Sequence, residues 1–105
     1  MIFEEHPLVT RDIDEIAFFV FEASGSRDAA IRRLREIDAL RRDIIERPLS
    51  GVRLDGTLTG CLARHGGRDN HLTIVWRPDR SRNHTRILMV SLGGKDWMGL
   101  AHERL

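Results

Sequence analysis

The sequence predicts an α+β fold: a short N-terminal strand and a two-helix hairpin packed on a small antiparallel sheet of three or four strands, closed by a short C-terminal helix. Three observations lead there. Apolar residues recur at about 3.6-residue spacing as far as Pro48, then at a spacing of two from Gly51 onward. The break between the two helical stretches, Ser24-Gly25-Ser26, is short, so the helices pack antiparallel. Thr85 to Leu92 is a nearly continuous apolar run, which suits a central strand covered on both faces.

The elements follow in order. Ile2 to Glu5 forms the first strand, ended by Pro7, which has no N–H for a sheet ladder. Thr10 is the expected N-cap of the first helix, with Asp12, Asp14 and Glu15 favourable at the positive end of its dipole. Ile13, Ile16, Ala17, Val20 and Ala23 make its apolar stripe. Ser26 caps the second helix, and Pro48 stops it. Its stripe is Ile31, Leu34, Ile37 and Ile44 or Ile45, and its solvated side pairs Asp28 with Arg32, Asp38 with Arg42 and Asp43 with Arg47. Beyond Gly51, Val52 to Leu54 is a brief edge strand. Leu58 to His65 is a strand, Gly66 to Asn70 a turn, His71 to Arg77 a strand, and Pro78 to Asn83 a polar loop. Gly93-Gly94 ends the last strand, and Trp97, Leu100 and Ala101 mark a short terminal helix.

Composition bounds the class. With 105 residues, 41% hydrophobic and 31% charged, the chain is expected to be one globular domain spanning 1–105. Its longest apolar run, Ile16 to Phe21, is too short for a membrane span, and its start lacks a secretory pattern, so a cytoplasmic location is expected. Cys61 has no partner for a disulfide or a zinc site and sits in an apolar strand, as a buried, inert thiol would.

The charge is unevenly divided. Residues 1–50 hold 8 Arg against 11 acidic residues, whereas residues 51–105 hold 8 Arg and 1 Lys against 5. Between Arg64 and Arg86, six Arg meet only Asp69 and Asp79, and His65, His71 and His84 lie in the same stretch. A basic, His-bearing hairpin on a small sheet suits a surface that meets phosphate. Strand alternation puts His71 and Arg77 on one face, opposite Leu72, Ile74 and Trp76. His84 and Arg86 share a face of the next strand, whereas Arg64 and His65 point to opposite faces, so at most one of those two joins the surface. Gly93-Gly94-Lys95 lacks the other residues of a phosphate loop. Trp76 and Trp97 suit core or edge packing.

Three segments carry a resemblance. Leu8-Val9-Thr10-Arg11-Asp12-Ile13-Asp14-Glu15-Ile16 follows the first strand, Arg47-Pro48-Leu49-Ser50-Gly51 joins helix to sheet, and Arg86 to Asp96 runs from an apolar strand into Gly93-Gly94-Lys95-Asp96. In their order and spacing the chain resembles the RelE/ParE family of bacterial toxins from type II toxin–antitoxin pairs, over nearly its full length. It departs from the family at the central strand, where Thr73 and Trp76 stand in place of an Arg and a Tyr, and it contains no Tyr.

The resemblance implies a growth-inhibiting toxin held by a cognate antitoxin, whose acidic segment folds on the two-helix layer or over the basic sheet face. It implies no cofactor and no metal. The leading chemistry is endoribonuclease cleavage of mRNA on the ribosome. Cleavage without a metal needs a base for the 2′-OH, an acid for the leaving oxygen and cations for the charged intermediate. His65, His71 and His84 are the candidate acids and bases, and Arg64, Arg77 and Arg86 the candidate stabilising cations. Arg68, Arg80, Arg82 and Lys95 are the candidate substrate-binding residues. The alternatives are a ParE-like inhibitor of DNA gyrase, which the missing Tyr favours, and a non-catalytic binding module of the same fold.

Overall fold

A computed structural model describes residues 1–105. The elements are β1 (Ile2–Glu5), α1 (Val9–Ser24), α2 (Arg27–Glu46), β2 (Val52–Arg53), β3 (Leu62–Gly66), β4 (Leu72–Asp79), β5 (His84–Leu92) and α3 (Trp97–Glu103). β2 to β5 form the expected antiparallel meander, and β1 adds to it parallel to β5, giving the order β1-β5-β4-β3-β2. No helix is long and apolar enough to cross a membrane.

Local chemistry explains most boundaries. The Ser26 hydroxyl accepts the Ala29 N–H at 3.1 Å, as a helix N-cap does. Thr10 does not cap α1, which starts one residue earlier, at Val9. The turn at its start is closed by His6, whose carbonyl accepts Val9 N–H at 2.9 Å and whose ring Nδ1 accepts Leu8 N–H at 3.1 Å. The expected strand from Leu58 is shorter, because Gly56–Leu58 forms a 3-10 turn and Gly60 takes a φ of 93°, which breaks the extended chain. Proline 78 is tolerated within β4 near its end, beside the 3-10 turn Arg80–Arg82.

Two layers of side chains sandwich the sheet. On one face Val9 and Ile16 of α1 and Ile37 and Ile44 of α2 pack on Leu62, Leu72, Ile74, Trp76, Ile87 and Val90. Trp76 is fully buried there, and its indole N–H donates to the Pro48 carbonyl at 2.7 Å, pinning the link from α2 to the sheet. Gly51 lies so close that a Cβ would fall 2.7 Å from the Trp76 ring. The other face is not left open at its centre. Ala101 of α3, Leu58 and Cys61 cover Ala63, Val75, Leu88 and Met89.

β5 carries a bulge. Val75 pairs with Met89, but the next residue, Trp76, pairs with Ile87. Leu88 is the extra residue, and it joins Met89 in the cluster beneath α3. The alternation of β5 is thereby inverted between its two halves.

The layers are joined by a buried ion pair. The Asp12 carboxylate of α1 accepts Val90 N–H at 3.0 Å and two Arg104 N–H groups at 2.5 and 2.8 Å. Arg104 also donates to the Leu88 carbonyl at 3.1 Å. Both side chains are 7% exposed, so removing one leaves the other charge buried without its partner. We expect Asp12→Ala to lose about 3–5 kcal/mol of unfolding free energy in urea titrations. A loss no larger than that of an exposed control such as Asp14→Ala would contradict this account.

Candidate functional site

The face away from α1 and α2 carries polar side chains at the end of the sheet where β1, β5 and β4 run side by side. Arg77 of β4 stands directly opposite Arg86 of β5, and His84 stands opposite Asp79. On the outer side Glu4 of β1 is registered with Arg86. Arg77 is exposed, and Arg86 and His84 are half-buried. The β4–β5 turn adds Arg80 and Arg82 at the same end, with Arg82 held loosely by Asp79 at 3.6 Å.

The electrostatics of this row are unusual for a sheet. Like charges directly opposite one another destabilise an antiparallel pair. Neither Arg77 nor Arg86 is within ion-pair distance of a carboxylate, whereas Arg11, Arg33, Arg41, Arg47, Arg64 and Arg104 all are. The Nε of Arg86 is buried without a hydrogen-bond partner. Two forked cations thus stand in register with no carboxylate within ion-pair distance, an arrangement that fits the oxygens of a phosphate.

Acid–base groups flank the pair. His84 Nε2 is hydrogen-bonded to the Glu4 carboxylate. A carboxylate only accepts, so Nε2 carries the proton and the Nδ1 of the neutral ring keeps a free lone pair. His6, at the end of β1, is the second imidazole. Burial foremost, then the Arg104 and Arg86 guanidiniums, push its pKa below the ordinary imidazole value, against a smaller opposing pull from Asp12. Its Nδ1 accepts Leu8 N–H, so the proton of the neutral ring sits on Nε2. Cys61 is buried beside this row; burial pushes its thiol up while Arg77 draws it down, which leaves an inert thiol.

The structure divides the other sequence candidates among separate places. Arg64 is on the helix-facing side, where it is bound to Asp43 and Ser50 and lies over the Trp76 ring, 5.8 Å from its centre. Arg47 foremost, with Arg64, holds the Asp43 carboxyl below its usual range. His65 shares the outer face but is hydrogen-bonded to Thr73 at 2.8 Å and meets the Trp97 ring edge-on, with α3 and the Gly56–Leu58 turn between it and Arg77. His71, Arg68 and Lys95 sit at the opposite end of the sheet, beside the β3–β4 turn and the end of β5. Arg86 and Leu92 are separated by about 20 Å at about 3.4 Å per residue. One catalytic cluster containing all the candidates is therefore excluded by strand direction. Glu4 and His6 escaped the sequence reading. Their period-two spacing puts both on one face of β1, but nothing in the sequence showed that this face borders Arg86.

No protein-family model matches the sequence, and no curated protein matches it. Among solved structures, the chain is similar to one from the chromosomal ParDE TA system of P. aeruginosa, with a TM-score of 0.69 and 13% identity over 90% of this chain and 97% of that one. The fold is that of RelE/ParE-type toxins. A YoeB/ParE toxin from Agrobacterium tumefaciens aligns with a TM-score of 0.61 and 15% identity, over 90% of this chain and all of the other. At these identities the likeness is one of architecture, and it covers the strand, helical hairpin and sheet that the sequence predicts.

The depressed pKa of His6 sets a pH dependence. The unfolded chain takes up the His6 proton near the ordinary value of about 6.5, and the folded chain only at lower pH. Stability is therefore unaffected by this group above that value and falls as the pH drops through it toward the folded pKa. We expect Tm to decline between about pH 7 and pH 5 and the decline to be shallower in His6→Gln. Parallel Tm profiles for the two proteins would show that His6 does not contribute.

Proposed function

We propose that the chain is the toxin of a toxin–antitoxin pair and that it acts on RNA, with Arg77 and Arg86 holding a phosphodiester. The carrying observation is the cross-strand arginine pair without a carboxylate partner. In this reading the two guanidiniums bind the scissile phosphate and stabilise its extra negative charge during attack by the neighbouring 2′-OH. The Nδ1 lone pair of His84 takes the 2′-OH proton, and Glu4 orients the ring and supports the imidazolium that results. His6, kept neutral by burial and the neighbouring guanidiniums, offers its Nε2–H as a hydrogen bond to the leaving oxygen, which takes its proton from water. Arg80 and Arg82 meet the flanking backbone. Arg64, His65, His71, Arg68 and Lys95 lie outside this set.

Arg86→Ala and Arg77→Ala are each expected to reduce cleavage of ribosome-bound mRNA by about 10²-fold or more, with unchanged circular dichroism. His84→Ala is expected to do the same, while Arg64→Lys retains cleavage. RNA affinity should fall steeply with salt, and less steeply in the double Arg variant. Growth arrest that persists in the double Arg variant would remove this reading.

A second reading has its own support. The chain has no Tyr, and the solved structure with the higher TM-score of the two belongs to a ParDE system. A gyrase inhibitor would use the same basic end to dock an acidic protein surface. Loss of gyrase supercoiling with intact RNA identifies it, and loss of neither identifies a binding module.

The partner in all three cases is an antitoxin. α1 exposes Phe18 and Phe19 at 66% and 62%, with Phe21 beside them at 41%, an aromatic patch of the kind that marks a protein contact. Co-expression with the neighbouring small gene product is expected to restore growth. In Phe18→Ser/Phe19→Ser that rescue should weaken while toxicity remains, as scored by colony counts.

A further inference from the structure

We propose that the cavity between α1 and the end of β5 is a binding site for a small amphipathic carboxylate, a molecule with an unbranched alkyl body and its charged head at Lys95. The cavity has a volume of about 630 Å³, within the range of small-molecule sites. Its wall is apolar: Ile16, Phe19, Val20 and Ala23 along α1, and Leu92 from the end of β5. Phe19 is 62% exposed, so the chain itself leaves this ring uncovered.

The polar groups around the cavity fall into two sets. Those on the helices are already bonded within the chain. Glu15 is paired with Arg11 at 2.9 Å, and Arg33 with Glu36 at 2.9 Å. The Ser24 hydroxyl donates to the Val20 carbonyl at 2.6 Å and accepts Ser26 N–H at 3.1 Å. The free set is gathered at the turn after β5. Lys95, the only lysine of the chain, borders the cavity and has no carboxylate within ion-pair distance. The acid beside it, Asp96, does not line this cavity and accepts Gly99 N–H at 3.0 Å. The Gly94 and Lys95 N–H groups have no hydrogen-bond partner in the backbone. His71 is held next to this turn, because Gly93 N–H donates to its carbonyl at 2.8 Å. A Cβ at Gly93 or Gly94 would meet nothing within 4 Å, so a ligand can approach the backbone there.

The occupant follows from that division. The charged side chains on the wall are Arg33 and Lys95 against Glu15 alone, a surplus that one anionic head balances. An ammonium group, free backbone N–H groups and an imidazole at one place are donors for a carboxylate. The helix side offers no uncommitted side-chain donor or acceptor. A sugar or a base edge would lose its hydrogen bonds to water there without replacement, whereas an alkyl chain has none to lose. From Ile16 to Ala23, α1 runs about 10 Å, the length of an extended chain of about eight carbons. This inference goes beyond the RNA reading and does not rest on it, since Arg77 and Arg86 lie at the other end of the sheet.

The test uses octanoate with the full chain, read by calorimetry and by amide chemical shifts. Octanoate is expected to bind with a dissociation constant below about 1 mM and to shift the Leu92, Gly94 and Lys95 amides. Hexanoate should bind about tenfold more weakly, because two CH₂ groups are lost. Lys95→Gln should weaken octanoate about three- to fivefold and leave octanol binding unchanged. Phe19→Ser, at an exposed position, should weaken both, with circular dichroism unchanged in each variant. Octanol binding as tightly as octanoate, equal octanoate affinity in Lys95→Gln, shifts scattered over the surface, or uridine monophosphate binding this site more tightly than octanoate would each overturn the proposal. RNA cleavage by the same preparation reports on the arginine pair independently.

Discussion

The Asp12 carboxylate is the joint at which three parts of the chain meet. It reaches from α1 to the backbone of β5 and to the arginine that ends α3. α3 has seven residues, too few to hold a helix by itself in water. Its apolar side chains and this ion pair together keep it on the sheet. Because the pair is buried, its value lies less in Coulomb attraction than in the penalty for separating it, which makes the docked position of α3 the one in which neither charge is stranded. With α3 in place, the centre of the outer face is covered, and only its two ends are open to partners.

That arrangement sorts the cations by their duties. Arg64 and Arg104 are bonded to carboxylates and act as structural staples. Arg77 and Arg86 face one another without such partners, at an electrostatic cost to the sheet. The bulge at Leu88 creates that pairing. In an unbroken ladder Arg77 would lie opposite Ile87, and Arg86 would point toward the helices. One extra residue brings both guanidiniums to the same surface, beside His84 and Glu4. The same bulge presents Leu88 and Met89 together to α3, so the seat of the terminal helix and the basic site share one backbone irregularity.

Much of this was legible from residue order. The spacing of Ile37 and Ile44, the Ser26 cap, the stop at Pro48 and the alternation around Ile74 and Trp76 each reflect a local rule, and each element formed where those residues stand. The grouping of Arg77, His84 and Arg86 was also within reach, because all three flank a single hairpin. Its failures were of one kind. Arg64, His65, His71 and Lys95 are near Arg77 in sequence or in composition, but strand direction carries them to the other face or the other end. Glu4 and His6 are remote in sequence and adjacent in space, since a parallel pairing between the first and last strands is set by topology rather than by a neighbouring turn.

What the residue string determined alone was therefore the set of elements, their order and the surplus of positive charge after Gly51, all of which depend on interactions within a few residues. The tertiary structure decided which arginines are neutralised and which two face each other. Those outcomes depend on a bulge, a parallel strand and a buried carboxylate, each of which acts between segments more than 70 residues apart or through register, and none of the three is visible to periodicity.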